Sequence, residues 1–262
     1  MTIKSSKSRS LKINIITLFP EMISGFFENS ILKRAQDKGA CEINIINLRD
    51  YGEGAHKLVD DRPYGGGAGM LLQAEPLAKA VRNCRLFDEY GVQSKKSKTF
   101  LTSARGKKFD QEMAKSWTQL ENITIICGHY EGVDQRFIDS CIDEEISIGD
   151  FVMTGGETAA VAMVDAVVRL LPGVLKKGDA TTEETFMEWE VSELAKLLPE
   201  NELVQKLVSQ NTEKVKLLEY PHYTRPESWE DQKVPEILLG GNHAEIMKWR
   251  LVKALEMTYG SG

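Results

Sequence analysis

Three short stretches concentrate glycine and polar side chains: Ser103-Ala104-Arg105-Gly106, Gly128-His129-Tyr130-Glu131-Gly132, and the run from Gly149 through Gly155-Gly156-Glu157. Glycines let backbone amides approach a ligand closely, and Gly155-Gly156 precedes an apolar run that reads as a helix, whose N-terminus is suited to a carboxylate or another anion. Each stretch alone reads as a turn; three at the ends of strands of one sheet read as a binding site. Asp165 and Arg169 stand four residues apart on that helix. They form either an internal ion pair or part of a catalytic set, and Arg169 near the helix C-terminus meets a favourable dipole. Lys95, Lys96, Lys98, Arg105, Lys107 and Lys108 cluster as well. That cluster reads either as a solvated loop or as an RNA footprint.

Other chemistries lack their signatures. No GxGxxG follows the first apolar run, where Phe19-Pro20-Glu21 stands instead, and no GxxxxGK[ST] loop occurs, which disfavours NAD and Walker-type nucleotides. His56, His129, His222 and His243 are remote from one another and no HExxH or GxSxG is present, so zinc and serine hydrolase readings have no support. Cys41, Cys84, Cys127 and Cys141 stand singly, suggesting neither a zinc site nor a disulfide framework, and a reducing cytosol is the simplest home.

The elements that must position these residues follow from the pattern. With 262 residues, 42% hydrophobic and 27% charged, the chain has the composition of a folded soluble protein of one large or two modest domains. Its net charge of -6 excludes a protein basic all over, though not a local basic patch. The start, MTIKSSKSRS, has no apolar core of a signal peptide and reads as a flexible tail over residues 1–10. The stretch 158–171 is interrupted by Asp165 and Arg169 and is shorter than the ~20 residues of a membrane span. Strands are predicted over 13–19, 42–48, 99–103, 123–127 and 145–148. Helices are predicted over 22–35, 75–90, 110–120, 157–171 and 242–259, with the 157–171 helix apolar enough to be buried on most sides. This alternation predicts an α/β fold with a largely parallel sheet over residues 11–173. Glycines crowd the segment 51–69, as in a functional or mobile loop. Residues 174–186 read as a mobile linker, and 187–262 as a small all-helical second domain, since no β-rich run is evident after 174.

Taken together, these stretches resemble a family. The strings Ile15-Ile16-Thr17-Leu18-Phe19-Pro20-Glu21-Met22, Asp60-Asp61-Arg62-Pro63-Tyr64-Gly65-Gly66-Gly67, Cys127-Gly128-His129-Tyr130-Glu131-Gly132, Ser147-Ile148-Gly149-Asp150 and Pro221-His222-Tyr223-Thr224-Arg225-Pro226 are similar to those of the bacterial tRNA (guanine-N1)-methyltransferases acting on guanine 37, beside the anticodon. Gly241-Asn242-His243 and Trp249-Arg250 extend the likeness.

The resemblance implies a SPOUT-type domain whose chain forms a deep trefoil knot, an exception to the rule against knots. It also implies a cytoplasmic homodimer with active sites shared between subunits, and no membrane association. S-adenosylmethionine would be held by Ser103, Gly128, Tyr130, Glu131, Ile148, Gly149, Asp150, Phe151, Val152, Met153, Gly155 and Gly156. Arg169 matches the family's arginine, which stabilises charge on the guanine O6. Glu184 stands where the family has its catalytic aspartate, as the base that takes the N1 proton. His222, Tyr223 and Arg225, in the helical domain, would bind tRNA. No residue is assigned to a metal, and Mg2+ is left open as a further ligand. Ala68 and Ala104 stand where the family usually has proline. The rival readings are a non-catalytic RNA-binding paralogue, which Glu184 keeps open, and a nucleotide-dependent oxidoreductase, which lacks its phosphate-binding fingerprint.

Overall fold

The computed structural model describes residues 10–86, 94–175 and 185–260. The chain divides into two compact units, 1–176 and 177–262.

The first unit is built on five parallel strands in the order β2-β1-β6-β5-β7. These are β1 (Leu11–Thr17), β2 (Cys41–Asn47), β5 (Ser97–Lys108), β6 (Asn122–Ile126) and β7 (Glu144–Ser147), while β3 (Asp60–Asp61) and β4 (Leu71–Leu72) form a small hairpin. The inner strands β1 and β6 carry runs such as INIIT and NITII because helices cover both of their faces. On one face, Ile13, Ile15 and Ile125 pack with Phe27 of α1 (Ser24–Phe27), Leu32 of α2 (Ser30–Asp37), Trp117 of α4 (Gln111–Trp117) and Met163 of α6 (Glu157–Val168). On the other, Ile16 and Ile126 pack with Leu77 and Val81 of α3 (Ala74–Cys84) and Phe137 of α5 (Gln135–Cys141). A polar ladder crosses this apolar sheet: Asn44 donates to Asn14 (3.3 Å), Asn14 to Asn122 (2.9 Å) and Asn122 to Ser97 (2.9 Å). Buried amides must find partners, so the ladder penalises any slip of β2, β1, β6 and β5 against one another.

Three departures from the sequence expectations stand out. The helix expected over 22–35 is broken into a turn of 3₁₀ helix at Pro20–Met22 followed by α1 and α2, whose first residue, Ser30, adopts φ 53. Helix α5 was not anticipated; its N-cap Asp134 accepts from the Arg136 amide at 2.9 Å, but its apolar residues are too few to show a period. Helix α6 is buried on most sides as expected, with Thr158, Ala162 and Asp165 forming its one exposed stripe, four and three residues apart.

The third departure concerns the second unit, which is not all-helical. Strands β8 (Met187–Glu190) and β9 (Lys214–Leu217) pair antiparallel around α7 (Val191–Leu197) and α8 (Glu202–Ser209). β9 alternates exposed and buried along KVKL, a period-2 signal too short to stand out from its charged surroundings. A second hairpin joins β10 (Ser228–Trp229) to β11 (Gln232–Lys233), and α9 (Glu236–Leu239) and α10 (His243–Tyr259) follow. Val191, Leu194, Val204, Leu207, Val215, Leu251 and Leu255 make a separate core. The expected tail over 1–10 and linker over 174–186 fall largely outside the described residues. No helix among the described residues is long and apolar enough to cross a membrane.

Candidate active site

A cavity of about 400 Å³ opens at the irregularity within β5 and beyond the C-terminal ends of β6 and β7. Open parallel sheets bind ligands at that edge. All the residues expected to hold a cofactor line it except Asp150, which is exposed and ion-paired with Lys108 instead. The three loops reach one another because each strand end breaks its pattern. In β5 the register jumps between Thr102 and Lys107, both of which face Ile146 of β7, so residues 103–106 are thrown out of the sheet as a wall. After β6, Tyr130 adopts φ 58, a left-handed conformation uncommon for a tyrosine, and Gly132 adopts φ 136. Strained backbone of this kind concentrates at ligand sites.

Close packing then fixes the loops. Thr102 Oγ1 accepts from the Gly128 amide at 2.9 Å and donates to the Ile126 carbonyl at 3.2 Å. The Gly156 amide donates to the Gly128 carbonyl at 2.8 Å, and His129 bridges to Gly155. A Cβ on Gly156 would come within 1.8 Å of Thr102 Oγ1, so only glycine fits there. The glycine-rich segment joins in through its hairpin: the Glu131 amide donates to the Met70 carbonyl (3.1 Å) and the Leu72 amide to the Gly132 carbonyl (2.9 Å).

Two residues that sequence reasoning missed support this wall. Thr102 has no motif to announce it; only the clash at Gly156 reveals its role. Glu157 is 2% exposed, and its Oε1 accepts from the buried Thr17 hydroxyl at 2.7 Å. The first turn of α6 therefore carries its own buried carboxylate where an external anion was expected, and an acidic residue directly after Gly155-Gly156 was the available signal. The charge matters to its surroundings: burial first, and then Glu157, hold the Cys127 thiol well above its ordinary pKa.

Other expected residues are placed elsewhere. Arg169 is half-buried and caps the C-terminus of α6, while Gly156 caps its N-terminus against the cavity. A rise of about 1.5 Å per residue puts these ends roughly 20 Å apart. Asp165 is exposed rather than enclosed by apolar neighbours. Glu184 lies outside the described residues. In the second unit His222 and Arg225 are exposed; His222 Nε2 lies 2.8 Å from Glu219 Oε1, Tyr223 packs near Trp249 (6.3 Å between ring centres), and the Arg250 guanidinium lies 4.8 Å from the Tyr220 ring centre. The basic cluster is largely compensated: Lys96 pairs with Glu121, Lys98 with Asp143, Arg105 with Glu145, and Lys107 with Glu144. Among the described residues, no three His, Cys, Asp or Glu side chains converge as a metal site would need.

Comparison with known proteins gives this geometry its context. Residues 11–261 match the family described as tRNA (Guanine-1)-methyltransferase TrmD. The chain is 45% identical over 249 residues to the tRNA (guanine-N(1)-)-methyltransferase of Fusobacterium nucleatum, covering 95% of this chain and 88% of that protein. It is 45% identical to the protein of the same name from Dictyoglomus turgidum over 95% of this chain and 87% of that one. A third, from Clostridium beijerinckii, is 44% identical over 95% of this chain and 89% of its own length. Likeness of this extent takes in the strand ends, the glycine-rich hairpin and the second unit alike, and the chain belongs to the tRNA (guanine-1)-methyltransferase family.

Proposed function

We propose that this protein transfers the methyl group of S-adenosylmethionine to N1 of guanine 37 in tRNA, in the cytoplasm, as a homodimer. The observation that carries the reading is the cavity where three glycine-bearing strand ends meet in a member of this family. Its volume lies within the range of about 300–1,000 Å³ usual for small-molecule sites. Its wall is backbone that a Cβ would obstruct: one on Gly128 would lie 2.8 Å from the Thr102 carbonyl oxygen. Amides and carbonyls so exposed suit a ligand with an adenine, a ribose and an amino-acid end. A SPOUT-type trefoil knot is the topology we assign to these loops, and the insertion of β6 between β1 and β5 supports it.

When bound, S-adenosylmethionine supplies an electrophilic methyl group; the chain supplies alignment, which is worth roughly 7–11 kcal/mol for well-oriented reactants. The guanine N1 carries a proton at neutral pH. Glu184 is the base that removes it, and Arg169 stabilises the negative charge that then develops on O6. Arg169 sits a helix length from the cavity of its own chain, which supports a site shared between subunits, each arginine serving the partner's cavity. The exposed stripe Thr158, Ala162 and Asp165 and the exposed Phe26 and Val152 offer surface for such a pairing. His222, Tyr223 and Arg225 are assigned to the tRNA.

Two assays test this. Labelled S-adenosylmethionine with tRNA transcripts bearing or lacking guanine 37 should give transfer only to the former; equal labelling of both would refute the position. Separately, Arg169→Ala and Gly156→Ala chains, each inactive alone, should recover activity when co-expressed, because one mixed site has both features intact. Failure to recover with dimers formed would refute the shared site.

A further inference from the structure

Glu157 has no part in the chemistry above, yet it is a carboxylate 2% exposed and packed against the wall of the reactive cavity. Gly155 lines the cavity, and a Cβ built on it would lie 2.4 Å from Glu157 Oε2 and 2.8 Å from His129 Cδ2. The glycine therefore lets the carboxylate come up to the back of the wall, with the Gly155 backbone between the charge and the cavity. The arrangement is held from three sides. Thr17 Oγ1 donates to Glu157 Oε1 at 2.7 Å and accepts from the Phe19 amide at 2.9 Å; the Phe19 ring lies 5.0 Å from that of His129; and His129 Nδ1 accepts from the Tyr130 amide at 3.0 Å, keeping the imidazole against Gly155.

We infer that Glu157, acting through the Gly155 wall, sets the preference of the cavity for the cationic methyl donor over its neutral demethylated product. The inference rests on the function proposed above. S-adenosylmethionine carries a positive sulfonium; transfer moves its methyl group to guanine N1, leaves the sulfur as a neutral thioether in S-adenosylhomocysteine, and sends the N1 proton to the base. A fixed negative charge favours the first ligand and is nearly indifferent to the second. Two other carboxylates line the cavity. Glu131 is exposed, so water screens it, and Glu145 is paired with Arg105 at 3.1 Å. Glu157 is enclosed, and buried charges are screened much less. Glu157 is thus a specificity-determining residue: once the methyl group has left, the attraction it exerted on the donor is gone and the product departs more readily.

The test compares two ligands on the purified full-length protein by calorimetry. With Glu157→Gln, affinity for S-adenosylmethionine should fall about tenfold, equivalent to about 1.4 kcal/mol, while that for S-adenosylhomocysteine changes less than about twofold. Steady-state inhibition by S-adenosylhomocysteine should become correspondingly more severe relative to KM for the donor. A purely structural role would weaken both ligands equally; that result, or no change for either, overturns the inference and leaves the proposed function standing. Wild-type protein that binds neither ligand overturns the proposed function and the inference with it. Should Glu157→Gln fail to fold, Thr17→Val removes the hydrogen bond that holds the carboxylate against the wall, so the same split should appear at smaller size; equal effects on the two ligands would again overturn it.

Discussion

The cavity of the first unit and the 220–225 segment of the second are built in opposite ways. The cavity is made of backbone: the Gly128 amide on Thr102, the Gly156 amide on the Gly128 carbonyl, and glycines where any Cβ would collide. The 220–225 segment is made of side chains, with His222 beside Glu219, Tyr223 near Trp249, and an exposed Arg225. A backbone site allows few substitutions and holds one small ligand in one pose. A side-chain surface adds contacts nearly independently, which suits a large polyanion. Changes in the cavity should therefore be steep and specific, and changes in the segment shallow and dependent on salt.

The largest effect is expected at the proposed base. Glu184→Gln should lower the methylation rate about 10²–10⁴-fold, the usual worth of a positioned base, with cofactor binding nearly unchanged, while Glu184→Asp retains most activity. Single-turnover methylation alongside calorimetry separates the two quantities. If Glu184→Gln keeps near wild-type turnover and Asp165→Asn abolishes it in a folded protein, the exposed Asp165 takes over the assignment and the chemistry moves onto α6.

Next comes the cavity wall. Gly156→Ala should weaken S-adenosylmethionine binding at least tenfold and destabilise the fold by about 1–3 kcal/mol, as overpacking does, because its Cβ would meet Thr102 Oγ1 at 1.8 Å and the Gly128 nitrogen at 2.9 Å. Gly25→Ala is the internal control. It lies in helix α1 with nothing within 4 Å of a new Cβ, so it should be neutral or stabilise by up to about 1 kcal/mol. Thermal melts of the two variants measure the contrast; equal shifts would mean that the wall is softer than its contacts indicate.

Much of the first unit was legible because its signals are local. Alternating β-rich runs and amphipathic helices announced the parallel sheet, and glycine density marked the strand ends, since close backbone approach leaves a compositional trace. What was not legible depended on contacts between segments far apart in sequence. Thr102 and Thr17 are ordinary threonines until Gly128 and Glu157 are brought to them. Helix α6 read as buried because its apolar residues crowd the whole circumference, and which face stays open is decided by what packs on it. Strands β8 and β9 were missed because four residues of alternation inside a charged stretch carry little information. The family resemblance supplied what periodicity could not, namely the roles assigned to Arg169 and Glu184.

In the second unit the effects should be smaller. Arg225→Ala should weaken tRNA binding about three- to tenfold, nearly independently of tRNA sequence. It should also reduce the slope of log affinity against log salt by about one, the signature of one lost phosphate contact. Binding measured from low to moderate salt reads this directly, and S-adenosylmethionine affinity should not move. An unchanged slope would remove Arg225 from the phosphate contacts.

The smallest effect is expected at the basic cluster that the sequence offered as an RNA footprint. Lys107→Gln should change tRNA affinity less than about twofold. In sequence the cations stand together, but the fold brings acids to them from neighbouring segments: Asp143 to Lys98, Glu144 to Lys107, Glu145 to Arg105. A phosphate approaching this edge meets paired charges whose fields largely cancel beyond a Debye length of about 8 Å at physiological salt. Removing Lys107 also leaves Glu144 exposed to water, where losing a surface ion pair costs little. Arg225 is exposed and, among the described residues, no carboxylate forms an ion pair with it, so the two substitutions, each removing one positive charge, should differ. The measurement is the same salt titration run on both. If Lys107→Gln matches Arg225→Ala in affinity and in slope, the ion pairs open for tRNA, and the contrast between a closed first-unit edge and a receptive second-unit segment fails.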